Sequence, residues 1–178
     1  NVELVLVLNS GLAEKIGVDY VHMGDQLKLC RYDECFNFSD KCNKGVEMAT
    51  GNVVVFLNDD AAPNQADWLE RMMDVLYLPN VGGVSPAMIY PDGCSIQYAG
   101  INAGQKVCGL FGPSFHMKNW NSCEQIVNQR LIRDVYVLSG ACMMMQKSIF
   151  LSIGGFDAVN TPNGHSDVDL SLRLHERG

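Results

Sequence analysis

Apolar residues in this chain come in short bursts separated by polar or glycine-rich punctuation, and the bursts follow two periods. Val2–Leu8 and Val53–Leu57 are runs rich in β-branched residues, too short for a helix, and predict strands buried on both faces. Leu27–Tyr32 alternates and predicts an edge strand. Val81–Ile89 and Ser95–Ala103 predict two more strands, joined through the turn signal Tyr90-Pro-Asp-Gly93. Cys142–Met145 reads as a further buried strand whose methionines serve packing. Helical spacing is clearest over Asp67–Tyr77, where Trp68, Leu69, Met72, Met73 and Leu76 share one face. Shorter helices are predicted over Ala13–Ile16, from Ser39 as N-cap toward a stop at Gly51, and over Lys147–Ile153 ahead of Gly154-Gly155. A last helix starts at Ser166, with Ser166 and Asp169 in reciprocal capping positions. Regularity is lost over Gly104–Gln129, a length at which a loop is functional or mobile, and returns at Val135–Leu138. Strand–helix alternation followed by a hairpin defines an α/β domain with a mixed sheet.

Charge and cysteine usage narrow the function classes. The formal charge of −7 leaves no basic footprint for nucleic acid. No apolar run approaches the roughly 20 residues that span a bilayer. The seven cysteines are odd in number and form no CxxC pair, which excludes a zinc ribbon and favours a reducing, cytoplasmic setting. Asn1 leads straight into an apolar strand and Glu176-Arg177-Gly178 follows a finished helix, so the reading expects a piece of a longer protein.

The candidate chemistry sits where Val53–Leu57 ends in Asn58-Asp59-Asp60. In α/β sheets ligands gather at the carboxyl ends of strands, and adjacent acids there repel one another unless something compensates them. Two readings stand side by side: a divalent cation with oxygen ligands, or a turn cap ahead of the helix near Trp68.

Four ordered stretches carry a resemblance: Phe36–Ser39 with Asn43-Lys-Gly45 and Ala49-Thr-Gly51; Phe56–Asp60; Tyr90–Gly93 with Gln97–Gly100; and Ser139–Ala141 through Gly154–Asp157 to Asp167–Leu170. In that order they resemble the family 2 glycosyltransferases of GT-A fold, in particular the branch that builds bacterial surface polysaccharides and rhamnan-type chains. The resemblance implies a truncated GT-A domain with a mixed, mostly parallel sheet. Residues 1–103 would form its nucleotide-binding half and 104–178 its acceptor-side half. It implies inverting transfer from a nucleotide-diphosphate sugar to a saccharide or lipid-linked saccharide, assisted by Mg²⁺ or Mn²⁺. Asp60 would lead the metal ligands, with Asp59 beside it facing the ribose or diphosphate, and Asp167 would be the general base. Asn9, Ser10 and Asn43 fall on the nucleotide side, and Gly140, Ala141 and Asp169 on the sugar side. The full-length protein would be cytoplasmic, peripheral to the inner face of the membrane.

The sequence departs from the family pattern at three positions: Leu8 stands where an Asp is common, Asn58 replaces the first acid of the metal motif, and Ser166 replaces a Glu. A preceding strand and helix are absent, so the 178-residue chain alone is expected to be inactive. Val2–Leu8 and Val53–Leu57, which would flank that strand, are expected to pair directly or to exchange strands in a homodimer. Two other functions compete: a catalytically silent GT-A domain used for saccharide binding or assembly, and a GT-A-like nucleotidyltransferase. The latter wants a basic, glycine-rich phosphate loop, and none is visible. His116 and Trp120 in the aperiodic stretch are either sugar contacts or incidental.

Overall fold

Val2–Leu8 forms a strand from Leu4 to Leu8 (β1), and Leu27–Arg31 (β2) pairs with it in parallel, Leu4 opposite Leu27 through Leu8 opposite Arg31. The computed structural model describes residues 2–16, 24, 26–103, 111–113, 116–121 and 132–178. They fall into two compact units: Asn1–Val54 with Gln146–Leu170, and Val55–Met145 with Ser171–Gly178.

In the first unit, helix α1 (Ser10–Ile16) begins three residues earlier than predicted because Asn9 caps it, its Oδ1 accepting the Leu12 N–H at 2.8 Å. Helix α2 (Phe38–Met48) lies on β1. A Cβ added at Gly45 would stand 3.2 Å from Val7 Cγ2, so the glycine permits the approach. Its cap is Asn37, whose Oδ1 accepts the Asp40 N–H at 2.9 Å, and not Ser39, which is fully buried inside the first turn. The Glu3 carboxylate gathers Lys28 Nζ at 2.6 Å and the N–H groups of Thr50 and Gly51, fixing the turn after α2. Helix α4 (Lys147–Ser152) ends where Gly154 and Gly155 take φ values of 86° and 67°. Phe150, Phe156 and Phe38 then stack edge to face, the first two fully buried. Helix α5 (Ser166–Glu176) starts in this unit. His165, at φ 60°, accepts the Asp169 N–H at 2.9 Å and so takes the cap position. Ser166 is already helical and buried, one residue past the cap position predicted for it.

The second unit is organised on β9 (Cys142–Gln146), whose Cys142–Met145 are all buried. It lies between β3 (Val53–Leu57) and β4 (Gly83–Val84). β4 is antiparallel to β9. The Asn58 N–H reaches Ala141 O at 3.0 Å and the Lys147 N–H reaches Asn52 O at 2.9 Å, the crossing order of an antiparallel β3–β9 ladder. Two strands that share a direction are thus separated by one that opposes them. Among the described residues β1–β2 pairs in parallel, while β4–β9, β5–β6 and β7–β8 pair antiparallel, so the strand directions are mixed as expected. β1 and β3 belong to different ladders, which overturns their direct pairing. β3 is also less enclosed than predicted: Val54 and Phe56 are buried, Val53 and Val55 half-buried, and Leu57 exposed.

Helix α3 (Trp68–Leu76) buries Met72 and Leu76 as its periodicity requires. The two long predicted strands break into β5 (Met88–Ile89), β6 (Ile96–Tyr98) and β7 (Ile101–Ala103), with β5–β6 an antiparallel hairpin. Asp92 Oδ1 accepts the N–H groups of Cys94 and Ser95 in its turn, and Gly93 has φ 74°. β8 (Phe111–Pro113) pairs with β7. Residues 116–120 line up beside β6, with the Ile96 N–H donating to Lys118 O at 2.9 Å and the Met117 N–H to Ile96 O at 2.9 Å. Most of the remaining Gly104–Gln129 stretch lies outside the described residues. Val135–Leu138 forms a single bridge, Val137 to Ile101, in place of a strand.

Candidate functional site

β3 delivers Asn58-Asp59-Asp60 to a turn closed by the main chain, the Ala61 N–H donating to Asn58 O at 3.1 Å. Neither carboxylate is needed to close it, and Asp59 and Asp60 are both exposed. The Asn58 N–H, bonded to Ala141 O, sets this turn beside Gly140-Ala141 at the start of β9. The structure therefore brings together Asp59, Asp60, Gly140 and Ala141. Ser85, which the sequence reading passed over, fixes the second stretch: its Oγ accepts the Ser139 N–H at 3.0 Å and donates to Ser139 O at 3.3 Å. No pattern in the sequence points to Ser85, because the contact joins residues 54 positions apart.

Among the described residues, no third His, Cys, Asp or Glu joins the two carboxylates to complete a metal cage. Two exposed carboxylates nevertheless fit a hard divalent cation, which commonly takes one or two protein oxygens and fills its other positions with substrate phosphate and water. The donor set suits an ion that arrives with a diphosphate better than a permanently held one.

The other expected site residues lie in the first unit. Ser10 faces Asp33: its N–H and Oγ–H donate to the two carboxylate oxygens at 2.7 and 2.6 Å. Those bonds hold the Asp33 carboxyl below the usual carboxylate range. Asp33 was missed, although the signal exists. Continuing the parallel register Leu8–Arg31 by two residues sets position 10 against position 33. Asn9 caps α1. Asn43 binds protein backbone, donating from Nδ2 to Phe156 O at 2.8 Å and accepting the Phe156 N–H at Oδ1 at 3.0 Å. Asp167 is half-buried in the first turn of α5, where its Oδ1 accepts the Val168 N–H at 2.9 Å. Asp169 is also half-buried, but two residues along a helix is a rotation of about 200°, so the two carboxylates leave the helix on opposite sides.

The aperiodic stretch resolves into two roles in the second unit. His116 Nε2 lies 3.0 Å from the Tyr90 hydroxyl, with the rings tilted edge to face, and His116 is exposed. Trp120 packs on the buried pair Ile96 and Ala99, a core contact.

The model of glycosyl transferase family 2 matches residues 1–154, and the chain belongs to that family. An uncharacterised protein of Sinorhizobium fredii is 28% identical over 153 residues, covering 86% of this chain and 16% of its own length. The O-antigen biosynthesis protein RfbC of Myxococcus xanthus is 29% identical over 148 residues, covering 83% of this chain and 11% of its own. This chain thus spans about a sixth or less of those two relatives. The mannosyltransferase PcManGT of Pyrobaculum calidifontis, solved with GDP-Man and Mn²⁺, superposes with a TM-score of 0.66 at 16% identity. That superposition covers 99% of this chain and 43% of the other, and the fold is GT-A. No helix among the described residues is long and apolar enough to cross a membrane.

Proposed function

We propose that the full-length protein transfers a sugar from a nucleoside-diphosphate donor to a hydroxyl of a saccharide or lipid-linked saccharide, with inversion at the anomeric carbon. The observation that carries this reading is the turn at Asn58–Asp60: two solvent-facing carboxylates tied through the main chain to Ala141. Asp60, with Asp59, would hold Mg²⁺ or Mn²⁺, and the structural neighbour solved with GDP-Man and Mn²⁺ supports that choice. When bound, the cation supplies positive charge opposite the departing diphosphate. Asp167 takes the proton of the acceptor hydroxyl as its oxygen attacks, and the sugar leaves the diphosphate in the same displacement. Gly140 and Ala141 offer a side-chain-poor stretch of backbone against which a sugar ring can lie. The O-antigen biosynthesis relative supports a polysaccharide acceptor.

A silent GT-A domain is the second reading. Leu8, half-buried in β1, and Ser166, buried at the start of α5, both stand where the family pattern has an acid. Calorimetry of the full-length protein with UDP, dTDP and GDP, with and without Mn²⁺, separates the two. The enzyme reading expects one diphosphate to bind in a Mn²⁺-dependent way, and Asp60→Asn to weaken that binding by about 100-fold. Asp167→Asn is expected to leave binding intact and to lower transfer from the matching sugar donor by about 100-fold or more. Absence of any metal-dependent binding leaves the silent domain.

A further inference from the structure

The amino-terminal half of α2 spends three polar side chains on a single loop. Asn37 caps the helix with Oδ1 and donates from Nδ2 to Ala158 O at 2.9 Å. Ser39, fully buried, donates from Oγ to Thr161 O at 2.6 Å, and its N–H donates to Pro162 O at 3.1 Å. The Phe38 N–H goes to Asn163 Oδ1 at 3.1 Å, and Asn43 closes the set with its reciprocal pair on Phe156. The loop so held runs from Phe156 to His165 and delivers the first turn of α5, which carries Asp167. Within the loop Asp157 organises residues 157–161: its Oδ1 accepts the N–H groups of Val159 and Asn160, both at 2.9 Å, its Oδ2 accepts from Asn160 Nδ2 at 2.7 Å, and its carbonyl accepts the Thr161 N–H at 3.1 Å and hydroxyl at 3.0 Å. Those bonds tie the loop to itself, whereas the bonds from Asn37, Phe38, Ser39 and Asn43 tie it to α2 and its cap, more than a hundred residues away in sequence.

We infer that Asn37, Ser39 and Asn43 are positioning residues for Asp167, acting through the 156–165 loop. A general base works only within hydrogen-bond reach of the proton it takes, and a misplacement of about 1 Å is worth about 100-fold in rate. A ten-residue connection bonded only to itself does not hold a carboxylate to that tolerance. α2 supplies the anchors, and Asn43 serves the reaction through the loop backbone. This inference rests on Asp167 being the base.

Two variants of the full-length protein test it. Asn37→Asp keeps the acceptor that caps α2 and loses the donor to Ala158 O, whereas Ser39→Ala removes only the hydroxyl. Each is measured alone and combined with Asp167→Asn, using whichever of the UDP-, dTDP- or GDP-linked sugars the binding screen selects. Amide hydrogen exchange across residues 156–168 is followed in the same samples. Either variant is expected to lower kcat about tenfold with KM for the donor unchanged, to speed exchange of the loop, and to cost nothing further once Asp167 is Asn. Faster exchange with unchanged kcat, or an equal loss in the Asp167→Asn background, makes the clamp a folding device only and overturns the inference. If Asp167→Asn alone leaves transfer intact, the base assignment itself has failed, a result seen without either clamp variant.

Discussion

Replacing Gly155 by alanine tests the joint between α4, α2 and the loop. Gly155 sits at φ 67°, where an L-residue costs about 1–2 kcal/mol. Its new Cβ would also stand 2.7 Å from Asn43 Oδ1 and 3.1 Å from the Phe150 ring. Asn43 Oδ1 accepts the Phe156 N–H, and pushing it aside forfeits that bond and strands a donor, at about 1–3 kcal/mol. Together these predict a loss of about 3 kcal/mol. Two controls separate the contributions. Gly93 is at φ 74° with nothing within 4 Å of a Cβ, so Gly93→Ala carries the backbone cost alone, about 1–2 kcal/mol. Gly164 has open space and is not among the positive-φ glycines, so Gly164→Ala should stay within about 0.5 kcal/mol. Urea midpoints at constant m-value give the three numbers. Equal losses for Gly155→Ala and Gly93→Ala would show that the approach to Asn43 is slack and would refute the reasoning.

Two further outcomes concern the first unit. Hydrogen bonds from Lys28, Gly51 and Thr50 hold the Glu3 carboxyl at about 2, below its unfolded value of about 4.3. Its stabilisation is therefore complete above about pH 4.3 and is lost as pH falls toward 2. Glu3→Gln should lower the urea midpoint at pH 7, and the gap from wild type should close in that acid window. A gap that persists at its full size at pH 2.5 (about half a unit above the folded value) contradicts the assignment. Burial pushes the Cys42 thiol up to about 12, whereas Cys35 is exposed. Iodoacetamide at pH 8 should label Cys35 well before Cys42 by mass spectrometry, and the reverse order would overturn this.

The elements that could be read from the sequence were those whose burial pattern is local. The stripe of Met72 and Leu76 in α3, the run Cys142–Met145 and the turn at Asp92-Gly93 each carry their own signal within a few residues. Caps were harder. Asn37 and Ser39 are both good capping residues, and the choice between them is made by Thr161 O, which claims the Ser39 hydroxyl from 122 residues away. Ser166 was misread for a related reason: His165 takes a left-handed conformation that few non-glycine residues adopt, and the helix begins one residue earlier than a Ser cap would set it. In the site, the carboxylates at Asp59 and Asp60 announce themselves, while Asp33 and Ser85 emerge only once register and strand order are known.

The bond from the Asn58 N–H to Ala141 O bears on how such a site drifts over generations. A main-chain donor is the same whichever side chain it carries, so the residue at 58 can change from acid to amide while Asp59 and Asp60 keep their station. Proline alone among the ordinary replacements would remove the donor. On the proposed reading, position 58 is thus a place where charge beside the donor diphosphate can be tuned without moving the two carboxylates. By contrast, an insertion or deletion between Gly140 and β9 would carry the carboxylate turn with it.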